Sequence, residues 1–241
     1  MNDPDIRDIW VYLSASPLLG LTITLIAYGL AYRLYLKANS SPFLNPVLTS
    51  VVMLIGLLIV TGTAYSRYFE GAQFVHFLLG PATVALAVPL YDQFARLRAL
   101  WLPITISLVC GVLVAASSSI ALAWLLGGSL EIQMSLAPKS ATAPVAMGIA
   151  DTIGGIPSLT AVLTVLTGIT GAVTGTRLFE LMRIRDDSVK GIAMGVAAHG
   201  IGTARAFQVS KQMGAFSGLA MALSAFATAL LVPWLVNLMG I

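Results

Sequence analysis

The sequence predicts an all-α, polytopic membrane protein with about seven transmembrane helices, from its composition and its long uncharged runs. Of the 241 residues, 58% are hydrophobic and only 10% are charged, whereas soluble domains carry about 25% charged residues. A helix needs roughly 20 mainly apolar residues to cross a bilayer. Six uncharged runs reach that length: 10–32, 38–66, 71–91, 99–130, 152–176 and 212–241. They are too long for the ~10-residue strands of a membrane barrel.

The basic residues orient these helices, because loops rich in Lys and Arg stay on the cytoplasmic side. Three loops carry most of them: Arg33, Lys37, Arg96, Arg98, Arg183, Arg185 and Lys190. We therefore expect an outer N-terminus and a cytoplasmic C-terminus, with Lys139 and Lys211 in outer loops. The predicted spans are 12–36, 44–64, 72–92, 100–126, 156–180, 190–210 and 214–239.

Residues 138–153 do not fit a full span, because prolines and the charges of Lys139 and Asp151 interrupt them. The charge bias requires an odd number of crossings between residues 131 and 183, and the span 156–180 supplies one. We therefore predict a re-entrant hairpin or broken half-helix, which a membrane tolerates only where the backbone is buried in protein or lines a cavity. An ordinary extra helix, with the topology shifted by one crossing, is the alternative.

Two interrupted segments suggest internal symmetry within a single membrane domain over 1–241. GPATVALA, at 80–87, aligns with GIGTARAF, at 200–207, and pairs Thr83 with Thr203. The candidate repeats are 44–126 and 156–239, inverted relative to each other and joined by the re-entrant 138–153. Inverted repeats are typical of secondary transporters, whose binding sites form at broken helices near the midplane. Thr83 and its counterpart Thr203 are therefore candidate site residues.

Arg205 places a charge inside the apolar stretch AAHGIGTARAF. An arginine at a helix centre costs ~2.5–3.5 kcal/mol, so it requires a polar surrounding. It can bind an anionic substrate, pair with Asp151, or extend to the membrane interface. Gly202 and Thr203 favour the first alternative, because a helix break exposes backbone N–H groups that attract anions. A guanidinium beside them would hold a carboxylate through two hydrogen bonds.

Other polar residues of the broken segments are further candidates. His199 has an ordinary pKa near neutrality and can couple transport to protons; hydrogen bonding to backbone at a helix break is its alternative. Lys139, Ser140 and Thr142 offer polar groups on an irregular segment, while helix capping is the alternative for the two hydroxyls. Ser158 begins a helix after a turn and is a candidate lining residue.

Enzymatic, metal-binding and nucleic-acid-binding functions find no support in the motifs. GAFSG, at 214–218, lacks the spacing of a nucleophile elbow. His76 and His199 have no further ligands to complete a metal site, and Cys110 is a lone cysteine in an apolar run. The net charge of +3 is spread over loops. We expect no enzyme, no cofactor, no metal and no nucleic-acid partner.

Five motifs make the sequence resemble the LrgB/CidB family of bacterial membrane proteins. They cover roughly residues 40 to 240 in the order of that family: PLYDQF (89–94), LAPKSATAPVAM (136–147), IGGIPSLTAV (153–162), GVAAHGIGTARAF (195–207) and GAFSGLAM (214–221). The sequence departs from the family before GAFS, where Lys211 stands in place of the expected acidic residues.

The resemblance implies an inner-membrane protein that acts with a small LrgA/CidA-type membrane partner. It also implies two alternative functions. One is holin/antiholin-like modulation of murein hydrolase activity and lysis; the other is transport of small monocarboxylates such as pyruvate, since the plant plastidal glycolate/glycerate translocator has a similar domain. We favour transport, because a membrane lesion gives no reason for Arg205 beside a glycine break. The small residues Gly191 and Gly195 permit close helix packing, either within one chain or in a homo-oligomer.

Overall fold

The computed structural model describes residues 17–38, 41, 44–78, 81, 84–85 and 87–240, and the regular elements among them are all helices. The chain divides into two compact units, Met1–Ala85 and Leu86–Ile241. Four helices of the described part are long and apolar enough to cross a membrane: Leu18–Lys37, Trp101–Leu125, Pro157–Leu181 and Lys211–Leu238. The protein is therefore a multi-pass helical membrane protein.

The first unit contains α1 (Pro17–Lys37), α2 (Pro46–Thr61) and α3 (Tyr65–Phe77). α1 packs against both of the others, and Thr24 Oγ1 lies 2.7 Å from the Tyr68 hydroxyl of α3. Asn45 caps α2, because its side chain accepts a hydrogen bond from the Val47 amide at 2.9 Å.

The predicted spans of the first unit are only partly reproduced. α2 has 16 residues, fewer than the ~17–25 that cross a bilayer unaided. The predicted span 72–92 begins inside α3, which already starts at Tyr65, and because several of its later residues lie outside the described ones, its end stays a prediction. The candidate repeat 44–126 extends beyond this unit and stays a prediction.

The second unit contains eight described helices. They are α4 (Ala87–Tyr91), α5 (Phe94–Ala99), α6 (Trp101–Leu125), α7 (Leu130–Leu136), α8 (Ala143–Thr152), α9 (Pro157–Leu181), α10 (Asp187–Val209) and α11 (Lys211–Leu238). α6 and α11 run in the same direction, because Ile104 clusters with Phe216 and Ile120 clusters with Val232. α9 runs in the opposite direction, since Phe179, near its end, packs with Met213 at the start of α11.

One end of this unit is basic. The start of α6, the end of α9 and the start of α11 meet there, and Arg96 Nη2 forms an ion pair with Asp186 Oδ2 at 2.6 Å. We call it the basic end, after its cationic residues Arg96, Arg98, Arg183, Arg185, Lys190 and Lys211. The other end, where α6 and α11 finish and α9 begins, is called the opposite end.

The first broken segment, 130–156, is a helical hairpin on the opposite end. α7 runs inward, residues 137–142 form its tip, and α8 returns. The Ile156 amide donates to Ser135 Oγ at 2.8 Å, and Thr160 Oγ1 donates to the Ser135 carbonyl at 3.0 Å. A straight helix would separate Ser135 from Ile156 by about 31 Å, so the chain reverses at the tip. We call this the first hairpin.

The second broken segment is α10, which reverses at His199. The backbone of His199 has φ 39° and ψ −132°, far from helical values. Ser210 Oγ donates to Asp187 Oδ2 at 2.7 Å, whereas a straight helix would place these residues about 34 Å apart. The two arms, 187–198 and 200–209, therefore enter and leave at the basic end. We call them the second hairpin.

Contacts with α11 support this reversal independently. A Cβ on Gly191 would lie 2.9 Å from Phe216 Cβ, and one on Gly195 would lie 2.8 Å from Ala220 Cβ, so the first arm runs along α11 in the same direction. On the second arm, Thr203 Oγ1 lies 2.9 Å from Ser217 Oγ. The small residues of the first arm thus pack within the chain.

The reversal corrects three predictions. Residues 190–210 do not form the sixth span, because both of their ends lie at the basic end. Lys211 therefore lies with Lys190 rather than in a loop on the other side. α11 then runs from the basic end to the opposite end, so the predicted placement of the C-terminus beside the basic loops is also wrong. Charge counting predicted a returning segment at 138–153 but missed the one at 190–210, because it assigned Lys190 and Lys211 to opposite sides of the membrane.

Candidate functional site

The tips of the two hairpins meet near the middle of the unit. Ala141, in the tip of the first hairpin, clusters with Ala225, and Gly200, beside the break of the second, faces Met221 Sδ. Both partners are central in α11, which spans Lys211–Leu238. Met221 and Ala225 are four residues apart, about one helical turn, so both tips contact the same stretch of α11.

His199 is fixed against the middle of α9. Its Nε2 lies 2.9 Å from the Thr164 carbonyl, and because a carbonyl only accepts, Nε2 carries the hydrogen. Gly168 makes this approach possible, since a Cβ there would lie 2.6 Å from His199 Cε1. The Thr164 hydroxyl is buried and has no hydrogen-bond partner among the described residues. The meeting point therefore holds a spare hydrogen-bonding group.

A cavity of about 930 Å³ lies between α6, α9, the first arm of α10 and the tip of the first hairpin. Along α10 its lining runs from Ser188, at the basic end, to Ala198, beside the break. Along α9 it runs from Phe179 to Leu163. The cavity therefore extends from the basic end to the meeting point of the hairpins.

Two of the predicted site residues line this cavity. Among the described residues that line the cavity, Lys139 is the one that carries a charge. Ser140, which is buried, lies beside it. The described ion pairs are Arg96–Asp186 and Lys190–Asp187, so no described carboxylate neutralises Lys139. The prediction that placed Lys139 in an outer loop is wrong, because the first hairpin carries it inward.

Three other predicted residues lie in the packing of the second hairpin and not in the cavity lining. Thr203 Oγ1 donates to the His199 carbonyl at 2.8 Å. Gly202 is buried, and a Cβ on it would lie 3.0 Å from the Met194 carbonyl of the other arm. Arg205 is 9% exposed, and its Nη1 donates to Gln208 Oε1 at 3.1 Å.

The alternatives weighed for Arg205 can be compared with this geometry. Its burial argues against an arginine that extends to the interface. Asp151 is exposed in α8, and neither of the two described ion pairs joins it to Arg205.

The remaining predicted residues lie elsewhere. Thr142 is at the N-cap position of α8, but its side chain makes no capping hydrogen bond. Ser158 is exposed in the first turn of α9, at the opposite end from the cavity mouth. Thr83 lies outside the described residues.

Sequence reasoning missed a row of threonines on α9. Thr167, Thr170 and Thr174 line the cavity, and each hydroxyl donates to the carbonyl four residues earlier, at 2.7–2.8 Å. Their spacing of three and four residues places them on one helix face. That spacing is visible in the sequence, inside the uncharged run 152–176.

At the basic end, Asp186 organises the start of α10 near the cavity mouth. Its Oδ1 accepts hydrogen bonds from the Ser188 hydroxyl at 2.6 Å and from the Ser188 amide at 2.8 Å. The Ser188 hydroxyl, then the two backbone amides and the Arg96 charge, hold the pKa of the Asp186 carboxyl below its ordinary value. Asp186 is therefore an ionised cap that joins α10 to α5.

Comparisons with known proteins agree on the family. The family model described as "LrgB-like family" matches residues 24–238. The chain is 34% identical over 223 residues to the uncharacterized protein YwbG of Bacillus subtilis (strain 168), covering 92% of this chain and 98% of that protein. It is 31% identical over 221 residues to the holin-like protein CidB of Staphylococcus aureus (strain N315), covering 92% and 96%.

A third relative is the antiholin-like protein LrgB of Bacillus subtilis (strain 168), 27% identical over 229 residues, with 93% of this chain and 97% of that protein covered. No solved structure gives a significant match.

Proposed function

This chain belongs to the LrgB-like family, and from that premise we propose that it transports small monocarboxylates, such as pyruvate or glycolate, across the bacterial cytoplasmic membrane. One observation carries the proposal. Two helical hairpins approach from opposite ends of the second unit, and their tips meet beside a cavity that reaches the basic end. Broken helices that meet near the midplane form the binding sites of many secondary transporters.

The hairpins also suggest an internal repeat. α6 is followed by the first hairpin, and α9, which runs in the opposite direction, is followed by the second. Two copies of a span and a hairpin, inverted relative to each other, provide the pseudo-symmetry that alternating access uses. With the basic end cytoplasmic, as the positive-inside rule requires, the cavity opens to the cytoplasm and the second hairpin is re-entrant from that side.

In this proposal Lys139 binds the carboxylate. It is a cation without a described carboxylate partner, it lies at the inner end of the cavity, and Ser140 adds a hydroxyl donor beside it. The His199 imidazole, which contacts α9 near the inner end of the cavity, would take up and release a proton and so couple transport to protons. Arg205 would hold the second arm in shape through Gln208, instead of binding the carboxylate directly.

Uptake into proteoliposomes tests the proposal. Labelled pyruvate and glycolate are supplied with and without the small LrgA/CidA-type partner that the family resemblance implies. Saturable uptake that falls at least tenfold in Lys139→Gln and recovers in Lys139→Arg supports the assignment. Lys211→Gln, at the basic end but outside the cavity lining, is the matched control. Absence of saturable uptake under every condition refutes transport.

The names of the curated relatives support a second candidate more directly than they support transport. Proteins named holin-like and antiholin-like match more than 90% of the chain. On this candidate the chain modulates murein hydrolase activity and lysis, with its small partner. Altered lysis in a deletion strain that is rescued equally by wild type and Lys139→Gln, without saturable uptake, would favour it.

Variants of Arg205 distinguish a carboxylate site at Lys139 from one at Arg205. If Arg205→Lys and Arg205→Ala both transport like wild type, the direct carboxylate role first predicted for Arg205 fails. If Arg205→Ala loses uptake at unchanged thermal stability, while Lys139→Gln keeps it, the carboxylate site belongs to the second arm.

A further inference from the structure

We infer that the cavity binds carboxylates with an unbranched apolar tail of roughly eight to ten carbons, with the head at Lys139 and the tail along α9 and the first arm of α10. The inference deepens the proposed function and rests on it for the role of Lys139. It extends the ligand class from three-carbon acids to amphipathic monoanions.

The size of the cavity is the first argument. Its volume of about 930 Å³ lies near the upper limit of the ~300–1,000 Å³ typical of sites for drug-sized ligands. Each water in the liquid occupies about 30 Å³, so an acid of about ten carbons, which has about as many non-hydrogen atoms as a dozen waters, fits with space left over. The volume therefore permits a ligand much larger than a three-carbon acid.

The distribution of polarity is the second argument. The walls between the two ends are mainly apolar, with Ile104, Leu163, Leu166, Leu178, Phe179 and Ile192 among the lining residues. The charged lining residue, Lys139, lies at the inner end. The threonine hydroxyls on α9 already donate to their own helix, so they do not require a polar ligand.

The length of the cavity indicates how long the apolar tail of the ligand can be. The lining on the first arm runs from Ser188 to Ala198, ten residues that rise about 15 Å along a helix, which is long enough for a carboxylate head and an extended tail of roughly ten carbons. A single negative head and one apolar tail therefore complement the charge at one end and the walls along the rest.

Binding measured across a series of tail lengths tests the inference. The wild-type protein in nanodiscs is titrated by calorimetry with butyrate, hexanoate, octanoate and decanoate, and empty nanodiscs correct for partition into lipid. Affinity should rise up to about fourfold for each added methylene, as burial of a CH₂ group requires. The neutral octanol should bind at least tenfold more weakly than octanoate.

Two variants examine the head and the tail separately. Lys139→Gln should weaken octanoate binding at least tenfold, whereas Lys139→Arg and the control Lys211→Gln should keep it. Ala193→Trp, which fills the cavity between its two ends, should weaken decanoate binding at least tenfold and leave butyrate within twofold. Equal octanoate binding by Lys139→Gln and wild type would overturn the inference.

The outcomes also separate this inference from the proposed function. Affinity that does not change with tail length, together with saturable pyruvate uptake, overturns the inference and leaves transport of small acids standing. Affinity that rises with tail length, without uptake of any carboxylate, supports the inference and refutes transport.

Discussion

Removal of the Thr203 hydroxyl should destabilise the second hairpin by an amount that its hydrogen bonds define. Thr203 has one O–H, which it donates to the His199 carbonyl at 2.8 Å, so Ser217 must donate across the 2.9 Å contact between the two hydroxyls. Thr203→Val keeps the shape and removes both bonds. At about 1 kcal/mol for each bond, the loss is about 2 kcal/mol.

The matched variant is Ser217→Ala, which removes one bond and should cost about 1 kcal/mol. The double variant should lose about 1 kcal/mol less stability than the two single variants lose together. The bond between the two hydroxyls is counted in both single losses, and no unsatisfied Ser217 hydroxyl remains in the double variant. For a chain of this size, 2 kcal/mol lowers Tm by about 4–8 °C.

The assay is equilibrium unfolding in mixed micelles, followed by helical circular dichroism, for wild type, both single variants and the double variant. Additive losses, or a Thr203→Val protein as stable as wild type, would refute the contact with Ser217. Uptake assays on the same variants add a functional test. Thr203 lies outside the cavity lining, so a Thr203→Val variant that loses more uptake than its loss of folded protein explains would place Thr203 at the substrate.

Three further predictions address the break, the reversal and the cap. His199→Gly should be more stable than His199→Ala by about 1 kcal/mol or more, the reverse of the usual helical order, because the positive φ favours glycine; a thermal melt in which Ala is the more stable variant contradicts the break. Spin labels at Lys190 and Lys211 should be separated by much less than about 32 Å, which is their separation along a straight helix. A distance near about 32 Å, measured by pulsed electron–electron double resonance, would exclude the reversal. Because the pKa of Asp186 is lowered on folding, its contribution to stability is present above about pH 4 and is lost as the pH falls further; Asp186→Asn should remove that part of the acid dependence of Tm, and an unchanged pH profile counts against the cap.

The broken segments show how far sequence reasoning reaches. Prolines, glycines and isolated charges in 138–153 and around His199 marked the points where helices are interrupted, because these residues are costly inside an apolar helix. The sequence predicted a returning chain at the first break and a crossing helix at the second, so the direction in which the chain leaves the second break was wrong. Residues 190–210 have the length of a span, yet the bond between Asp187 and Ser210 closes them into a hairpin.

The candidate site shows the same division. The sequence favoured Arg205, because its charge lies in an apolar stretch beside glycines, and it placed Lys139 in an outer loop as one polar candidate of an irregular segment. The structure places Lys139 at the cavity and Arg205 inside the packing of the second arm. The direction of a side chain depends on the phase of its helix and on its neighbours, and neither is encoded in the local motif.

The sequence by itself determined that this protein crosses a membrane several times, where its long helices lie and where they break, because hydrocarbon selects apolar runs of fixed length and penalises each charge. Only the tertiary structure decided that α10 turns back, that both hairpin tips meet and that Lys139 faces the cavity. A crossing helix and a returning hairpin expose similar apolar surfaces to their surroundings. Contacts between residues distant in the chain, such as Thr203 with Ser217 and His199 with Thr164, distinguish them.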